Sequence, residues 1–138
     1  PAGKQRVLVD RYDGTPLNRP NDLVVDKRGG VYFTDPGARP EPGQPAPETA
    51  VYYLQPNGAL TRLATDVERP NGIQLSPDEK TLYVAVSDPN QAIWMAYDVK
   101  NDGMIANGRV FFDSTAWVKE GKKGLPDGMK VDLKGNIF

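Results

Sequence analysis

A short pattern recurs three times along this chain, and its spacing constrains the fold more than any other feature. The pattern is a Pro-Asn or Pro-Asp turn followed by an apolar run, and it begins at Pro20, Pro70 and Pro126. The successive spacings are 50 and 56 residues. A repeat of about 50 residues is typical of propellers and arrays, in which each repeat is one supersecondary unit packed on its neighbours.

Short runs rich in β-branched and aromatic residues lie between the turns, and such runs favour strands. Because no segment carries a sustained helical period, the sequence predicts an all-β fold. Each complete repeat holds four of these runs, and four antiparallel strands per repeat are typical of a β-propeller blade. The predicted strands are 23–25, 31–34, 51–54, 60–64, 72–76, 81–86, 93–99 and 109–113.

The strand pattern predicts two complete blades with a partial blade on each side. Residues 4–10 match the fourth strand of a preceding blade, and residues 136–138 match the beginning of a second strand in a following one. We therefore expect residues 1–138 to form one partial β-propeller domain with no internal boundary. Such an arc leaves sheet edges open, so the chain alone is expected to be inactive and prone to associate.

Composition narrows the chemistry. The sequence contains 0 Cys and 0 His, which excludes disulfides, thiolate metal sites and a His-dependent catalytic triad within it. Its net charge of −1 does not indicate a nucleic-acid partner. No apolar run approaches the length of about 18 residues expected of a membrane span. The sequence begins with Pro and carries no recognisable targeting signal, so it does not indicate the cellular compartment.

The tripeptide Pro-Asn-Gly occurs twice, and propeller geometry gives its two copies different positions. If the first strand of each repeat is innermost and the strands alternate in direction, Asn21, Asn71 and Asp127 all lie at one mouth of the central channel. Asn57 lies in the turn between third and fourth strands, on the opposite face. These are also common turn residues, and for Asn57 a turn role is sufficient. For Asn21, Asn71 and Asp127, binding a ligand is the alternative to a turn role.

Two amide oxygens and one carboxylate on a common axis are hard ligands of the kind that Ca²⁺ and similar divalent ions prefer. One carboxylate is few for such an ion, so Asp22 or an acid from another blade is needed. Three segments, the connection 35–50, the stretch 87–90 and the long loop 114–126, are expected on the same face. Trp117 lies in the last of them, where it either covers the ring of a ligand or anchors its loop.

At these positions the sequence resembles the senescence marker protein/gluconolactonase/lactonohydrolase family of six-bladed β-propellers. The stretches 18–36, 69–89 and 125–138 carry the resemblance, in the order that the family has them. The resemblance implies a divalent ion at the channel mouth, held by Asn71, by Asp127 and by a Glu whose motif belongs upstream of residue 1.

The resemblance also implies roles around the ion. Asn21 is expected to bond the metal's water or the substrate, and Arg19 to contact the substrate. A solvated charge is the alternative for Arg19, because Arg69 holds the same place in the next repeat. Asp127 is the candidate general base as well as a ligand, with Asp22 as the alternative base.

The activity that the resemblance implies is hydrolysis of a sugar lactone by a metal-dependent lactonase, with Ca²⁺ the expected ion and Zn²⁺, Mg²⁺ or Mn²⁺ as alternatives. Two other functions stay open. One is an organophosphate hydrolase of the diisopropyl-fluorophosphatase or paraoxonase type. The other is a propeller that binds a small molecule without turning it over, since fold alone does not fix function.

Overall fold

Strands dominate the fold. The computed structural model describes residues 3–37 and 48–138. A short hairpin comes first, formed by β1 (Arg11–Tyr12) and β2 (Thr15–Pro16). The first four-stranded sheet contains β3 (Leu23–Val25), β4 (Val31–Asp35), β5 (Ala50–Leu54) and β6 (Leu60–Ala64). The second contains β7 (Pro70–Leu75), β8 (Thr81–Asp88), β9 (Gln91–Val99) and β10 (Ile105–Asp113).

Strand order in both sheets follows chain order, and every neighbouring pair is antiparallel. This is the arrangement of two complete propeller blades, and it confirms the predicted fold class. β3 and β6 have the predicted bounds, whereas β10 begins four residues earlier than predicted. That extension arises because Ile105 and Ala106 pair with Val99 and Asp98 before a bulge shifts the register.

The partial blades are less regular than the sequence predicted. Residues 4–10 are not a strand, although their apolar residues suit one, and Val7 is 75% exposed. A run of apolar residues allows a segment to pair as a strand. Backbone hydrogen bonds between strands form only where a partner strand lies beside it. At the other end, Val131 and Ile137 form a single antiparallel bridge, which joins the expected first and second strands of the following blade.

The three segments expected on one face have different outcomes. The stretch 87–90 is a short turn, since β8 extends to Asp88 and β9 begins at Gln91. The 114–126 connection contains a short helix, α1 (Thr115–Lys119), where the sequence predicted only a loop. Of the 35–50 connection, residues 38–47 lie outside the described residues. Among residues 3–37 and 48–138, no helix combines the length and apolar character needed to cross a bilayer.

The main core combines side chains from both sheets. Tyr32 and Tyr53 of the first blade stack with ring centroids 4.3 Å apart, and Val84 and Tyr97 of the second blade belong to the same buried cluster. A second cluster around Phe33 lies on the first blade and packs against residues of the N-terminal segment such as Val9. Each blade is therefore held by packing on its neighbours, as the repeat pattern predicts.

A buried carboxylate joins the aromatic core to a neighbouring turn. Asp26 accepts hydrogen bonds from the Tyr53 hydroxyl at 2.7 Å and the Gly30 amide at 2.8 Å. Burial alone would raise the pKa of Asp26, but these bonds and those from Arg28 outweigh it and hold the pKa below its usual value. Arg28 also donates to the Asn101 carbonyl, so this network links the first blade to the second.

Apolar side chains are exposed at both outer faces of the blade pair. β3 of the first blade carries Leu23, 58% exposed, and Val25, 54% exposed; β10 of the second blade carries Phe111, 53% exposed, and Phe112, 43% exposed. In a propeller these are the positions that pack on further blades.

Candidate functional site

The three repeated turns line one cleft at the ends of the inner strands. Its volume is about 400 Å³, and its polar lining comes from all three repeats. The lining residues are Asn21, Asp22, Asn71, Asp127, Gly128, Met129, Lys130 and Phe138. The structure thus brings together the four polar residues that the sequence singled out at the start of each inner strand.

In the first blade, backbone pairing with β4 holds the turn in place. The Asn21 amide donates to the Thr34 carbonyl at 2.9 Å, and the Thr34 amide donates to the Asp22 carbonyl at 3.0 Å. The pairing then continues into the ladder at Leu23 and Phe33. Both residues of the turn are therefore fixed by the same position of the neighbouring strand.

Both oxygens of the Asp22 carboxylate accept hydrogen bonds from backbone amides. Its Oδ1 accepts a hydrogen bond from the Leu23 amide at 2.9 Å, and its Oδ2 accepts one from the Ile73 amide at 3.3 Å. The second bond crosses from one blade to the next. Asp22 consequently ties two inner strands together while it lines the cleft.

A β-bulge places Asn71 in the cleft. β7 pairs with β8 at Pro70–Val86 and again at Ile73–Val84, so Asn71 and Gly72 together oppose the single residue Ala85. Bulges of this kind bend the strand, increase its twist and redirect side chains, and they are frequent beside active sites.

In the third repeat, Asp127 comes close to the second blade through its backbone. A Cβ at position 72 would overlap the Asp127 carbonyl oxygen and would lie 2.9 Å from the Gly128 Cα, and Gly72 is buried there. Only glycine allows this approach. The Asp127 side chain is exposed, and its Oδ1 accepts the Gly128 amide at 2.9 Å.

Asn57, in the other Pro-Asn-Gly copy, shapes its own turn. Its Oδ1 accepts the Ala59 amide at 2.9 Å between β5 and β6. That bond is the turn chemistry expected of Asn at this position.

Arg19 and Trp117 are not among the residues that line the cleft in the described chain. The Arg19 amide donates to Oδ1 of Asp35 at 2.6 Å, while the residue as a whole is exposed. Trp117 lies on α1, where its ring is 5.4 Å from that of Phe112 and Lys122 lies over it at 5.1 Å. The contact with Phe112 holds α1 against β10.

Two buried polar residues behind the turns were missed by the sequence analysis. Thr34 is 0% exposed and Asp35 is 1% exposed, at the end of a strand of aromatic residues. Asp35 accepts the amides of Asn18 and Arg19, which fixes the segment before Asn21. A Thr-Asp pair closing an aromatic run was the available signal, because buried polar groups require partners.

The donor set fits a hard divalent cation in kind. Asn21 and Asn71 offer amide oxygens and Asp127 offers a carboxylate, the ligand types that Ca²⁺ takes. Across residues 3–37 and 48–138, no three His, Cys, Asp or Glu side chains gather into a metal-binding group. Ca²⁺ takes about six to eight oxygen ligands, so such an ion would also need water or further protein ligands.

Known proteins resemble the chain along nearly its whole length. The gluconolactonase of Zymomonas mobilis is 40% identical over 148 residues, covering 100% of this chain and 41% of that protein. The solved structure of a gluconolactonase from Xanthomonas campestris is 37% identical with a TM-score of 0.75, covering 95% of this chain and 43% of that one. The solved structure of regucalcin, a calcium-binding protein of Agrobacterium tumefaciens, is 29% identical with a TM-score of 0.68, covering 86% of this chain and 37% of that one.

The chain therefore spans less than half the length of each of these three proteins. The SMP-30/Gluconolactonase/LRE-like region matches residues 1–138, the whole of the sequence. This match agrees with the blade topology and with the resemblance in the three repeated turns. The chain belongs to the SMP-30/gluconolactonase/LRE-like family of β-propellers.

Proposed function

We propose that the protein built from these blades is a metal-dependent lactonase that hydrolyses a sugar lactone, with the cleft as part of its active site. The observation that carries the proposal is the convergence of Asn21, Asn71 and Asp127, from three successive repeats, on one cleft. The gluconolactonases among its relatives support a sugar lactone as the substrate class.

We assign Asn71 and Asp127 as ligands of a divalent ion, together with an acidic residue from outside this sequence. Ca²⁺ is the first candidate, since the ligands are oxygens and the calcium-binding regucalcin shares the fold. Zn²⁺, Mg²⁺ and Mn²⁺ are the alternatives. When bound, such an ion polarises the lactone carbonyl and stabilises the charge that develops on its oxygen.

Asp127 is assigned as the general base. Its Oδ1 is engaged with the Gly128 amide, so Oδ2 is the atom that takes a proton from the attacking water. The water oxygen adds to the carbonyl carbon, the ring C–O bond breaks, and the ring oxygen takes up the proton that Asp127 accepted, which gives the open hydroxy acid and regenerates the carboxylate. Asp22 is the weaker candidate, because both its oxygens already accept backbone amides.

Asn21 and Arg19 are assigned to orienting the substrate. The Asn21 side chain lines the cleft beside Asn71 and can donate to a substrate oxygen or to a water. Arg19 precedes this turn, and Asp35 holds its backbone, so its guanidinium is available to contact substrate hydroxyls at the rim. Trp117 is assigned to anchoring α1, in view of its packing on Phe112.

The test is turnover by the intact propeller that contains this chain. A panel of sugar lactones and a panel of organophosphates are assayed after chelation and again after Ca²⁺ is restored. We expect lactone hydrolysis that chelation abolishes and Ca²⁺ restores. Preferential organophosphate turnover would replace the proposed activity, and metal binding without turnover of either panel would indicate a binding propeller.

A further inference from the structure

We propose that Thr34 is a positioning residue that sets Asn71 relative to Asn21 and Asp22 across the boundary between two blades. This inference rests on the proposed function, because it concerns the geometry of the same cleft. It assigns a role to a buried side chain that does not line the cleft.

One residue bonds both turns. The Thr34 hydroxyl donates to the Asn71 carbonyl at 2.7 Å, across the blade boundary. The same hydroxyl accepts the Asp22 amide at 3.2 Å, within its own blade. Its backbone adds the paired bonds to Asn21 and Asp22. Thr34 is therefore the junction between the turn of the first blade and the turn of the second.

The environment makes this junction stiff. Thr34 is fully buried, so bulk water does not compete for its hydroxyl. Its β-branched side chain has a restricted χ1 angle, which limits the directions in which the hydroxyl points. Asn71 lies in the bulge, where ladder bonding to β8 is interrupted, and its carbonyl finds this side-chain donor instead.

The next blade boundary is built differently. By strand register the counterpart of Thr34 is Ala85, since Phe33 pairs with Leu23 as Val84 pairs with Ile73. Ala85 has no hydroxyl, and there the backbone of Asp127 instead packs directly on Gly72. Of the two boundaries between successive repeated turns within residues 3–37 and 48–138, the one between the Asn21 and Asn71 turns has this polar junction and the other does not.

Removing the hydroxyl should let the Asn71 backbone shift, although the residues that line the cleft keep their identities. Supporting residues that orient metal ligands typically contribute about 10–100-fold to metal affinity or activity. We therefore expect Thr34→Val to weaken Ca²⁺ binding by about 10–100-fold. Thr34→Ser keeps the hydroxyl and should restore most of the affinity.

The experiment measures Ca²⁺ affinity by calorimetry, and kcat and KM on a sugar lactone at saturating Ca²⁺, in the intact propeller. The matched control is Thr49→Val. Thr49 is half-buried and its hydroxyl donates to the Val67 carbonyl at 2.8 Å. The Thr49→Val variant therefore loses a similar hydrogen bond outside the cleft. We expect similar small decreases in Tm for both valine variants, and loss of Ca²⁺ affinity only for Thr34→Val. If Thr34→Val does not fold, Thr34→Ala, the residue at the Ala85 counterpart, takes its place.

Wild-type Ca²⁺ affinity in Thr34→Val would overturn the inference, as would equal losses in Thr49→Val or no recovery in Thr34→Ser. A wild-type protein that binds Ca²⁺ but hydrolyses no lactone would contradict the proposed function alone, because the affinities still report on Thr34. A wild-type protein that binds no Ca²⁺ would overturn the inference directly.

Discussion

The backbone of Gly72 lies against the carbonyl oxygen of Asp127, so closely that a side chain at position 72 has no room. This contact joins the inner strand of the second blade to the beginning of the third repeat. It brings Asp127 beside Asn71 in the same cleft.

Gly72→Ala should therefore separate the two repeats or strain them. The new Cβ would overlap backbone atoms of Asp127, which cannot rotate away as a side chain can. Overpacking of this kind typically costs about 1–3 kcal/mol of stability. Thermal unfolding of the intact propeller measures it. The control is Gly128→Ala, since a Cβ at that position meets nothing within 4 Å, and a fall in Tm as large as that of Gly72→Ala would contradict the account.

The two Pro-Asn-Gly copies should respond differently to mutation. Asn71→Ala removes a proposed ligand and should lower Ca²⁺ affinity by about tenfold or more. Asn57→Gly removes only a bond to the Ala59 amide in the turn between β5 and β6, so affinity should not change. Calorimetric titration of both variants distinguishes them, and equal effects would mean that the assignment of the cleft is wrong.

Asp26 predicts a specific pH dependence of stability. Its folded pKa lies below the ordinary value of 3.8, so between these two values the unfolded state binds more protons than the folded state. Its stabilising contribution is present at neutral pH, declines as the pH falls through 3.8 and is lost below the folded pKa.

Asp26→Asn should therefore lower Tm near neutral pH and flatten the loss of stability on acidification. Tm measured from neutral to acidic pH tests this prediction. Asp13→Asn, at an exposed carboxylate in the β1–β2 turn, is the control. The interpretation fails if the wild type and Asp26→Asn lose stability with the same slope below pH 3.8.

The sequence predicted the blades because the signals involved are local. Alternating apolar residues and turn residues identified all eight strands of the two sheets, although six of the eight predicted strands differ at one or both ends from those observed. Pairing is not local, which is why residues 4–10 looked like a strand and are not one. The short helix at Trp117 was missed for a related reason, since five residues are too few to show a helical period.

The candidate site was predicted in part. The repeat itself placed Asn21, Asn71 and Asp127 at equivalent positions. The repeat did not predict contacts across the blade boundary, because these join residues far apart in sequence. The hydrogen bond from Thr34 to Asn71 joins residues 37 positions apart. A hydroxyl at the end of an aromatic strand becomes informative only when its partner on the next blade is known.

Asp127→Asn in the intact propeller tests the central claim most directly. The variant keeps the shape and an oxygen at the cleft but removes the charge and the proton acceptor. At saturating Ca²⁺, with occupancy verified by calorimetry, loss of a general base should lower kcat for lactone hydrolysis by about a hundredfold to ten-thousandfold. A kcat that stays at this depressed level across the pH range with the metal bound is the predicted result; recovery to the wild-type kcat once the metal is restored would contradict it.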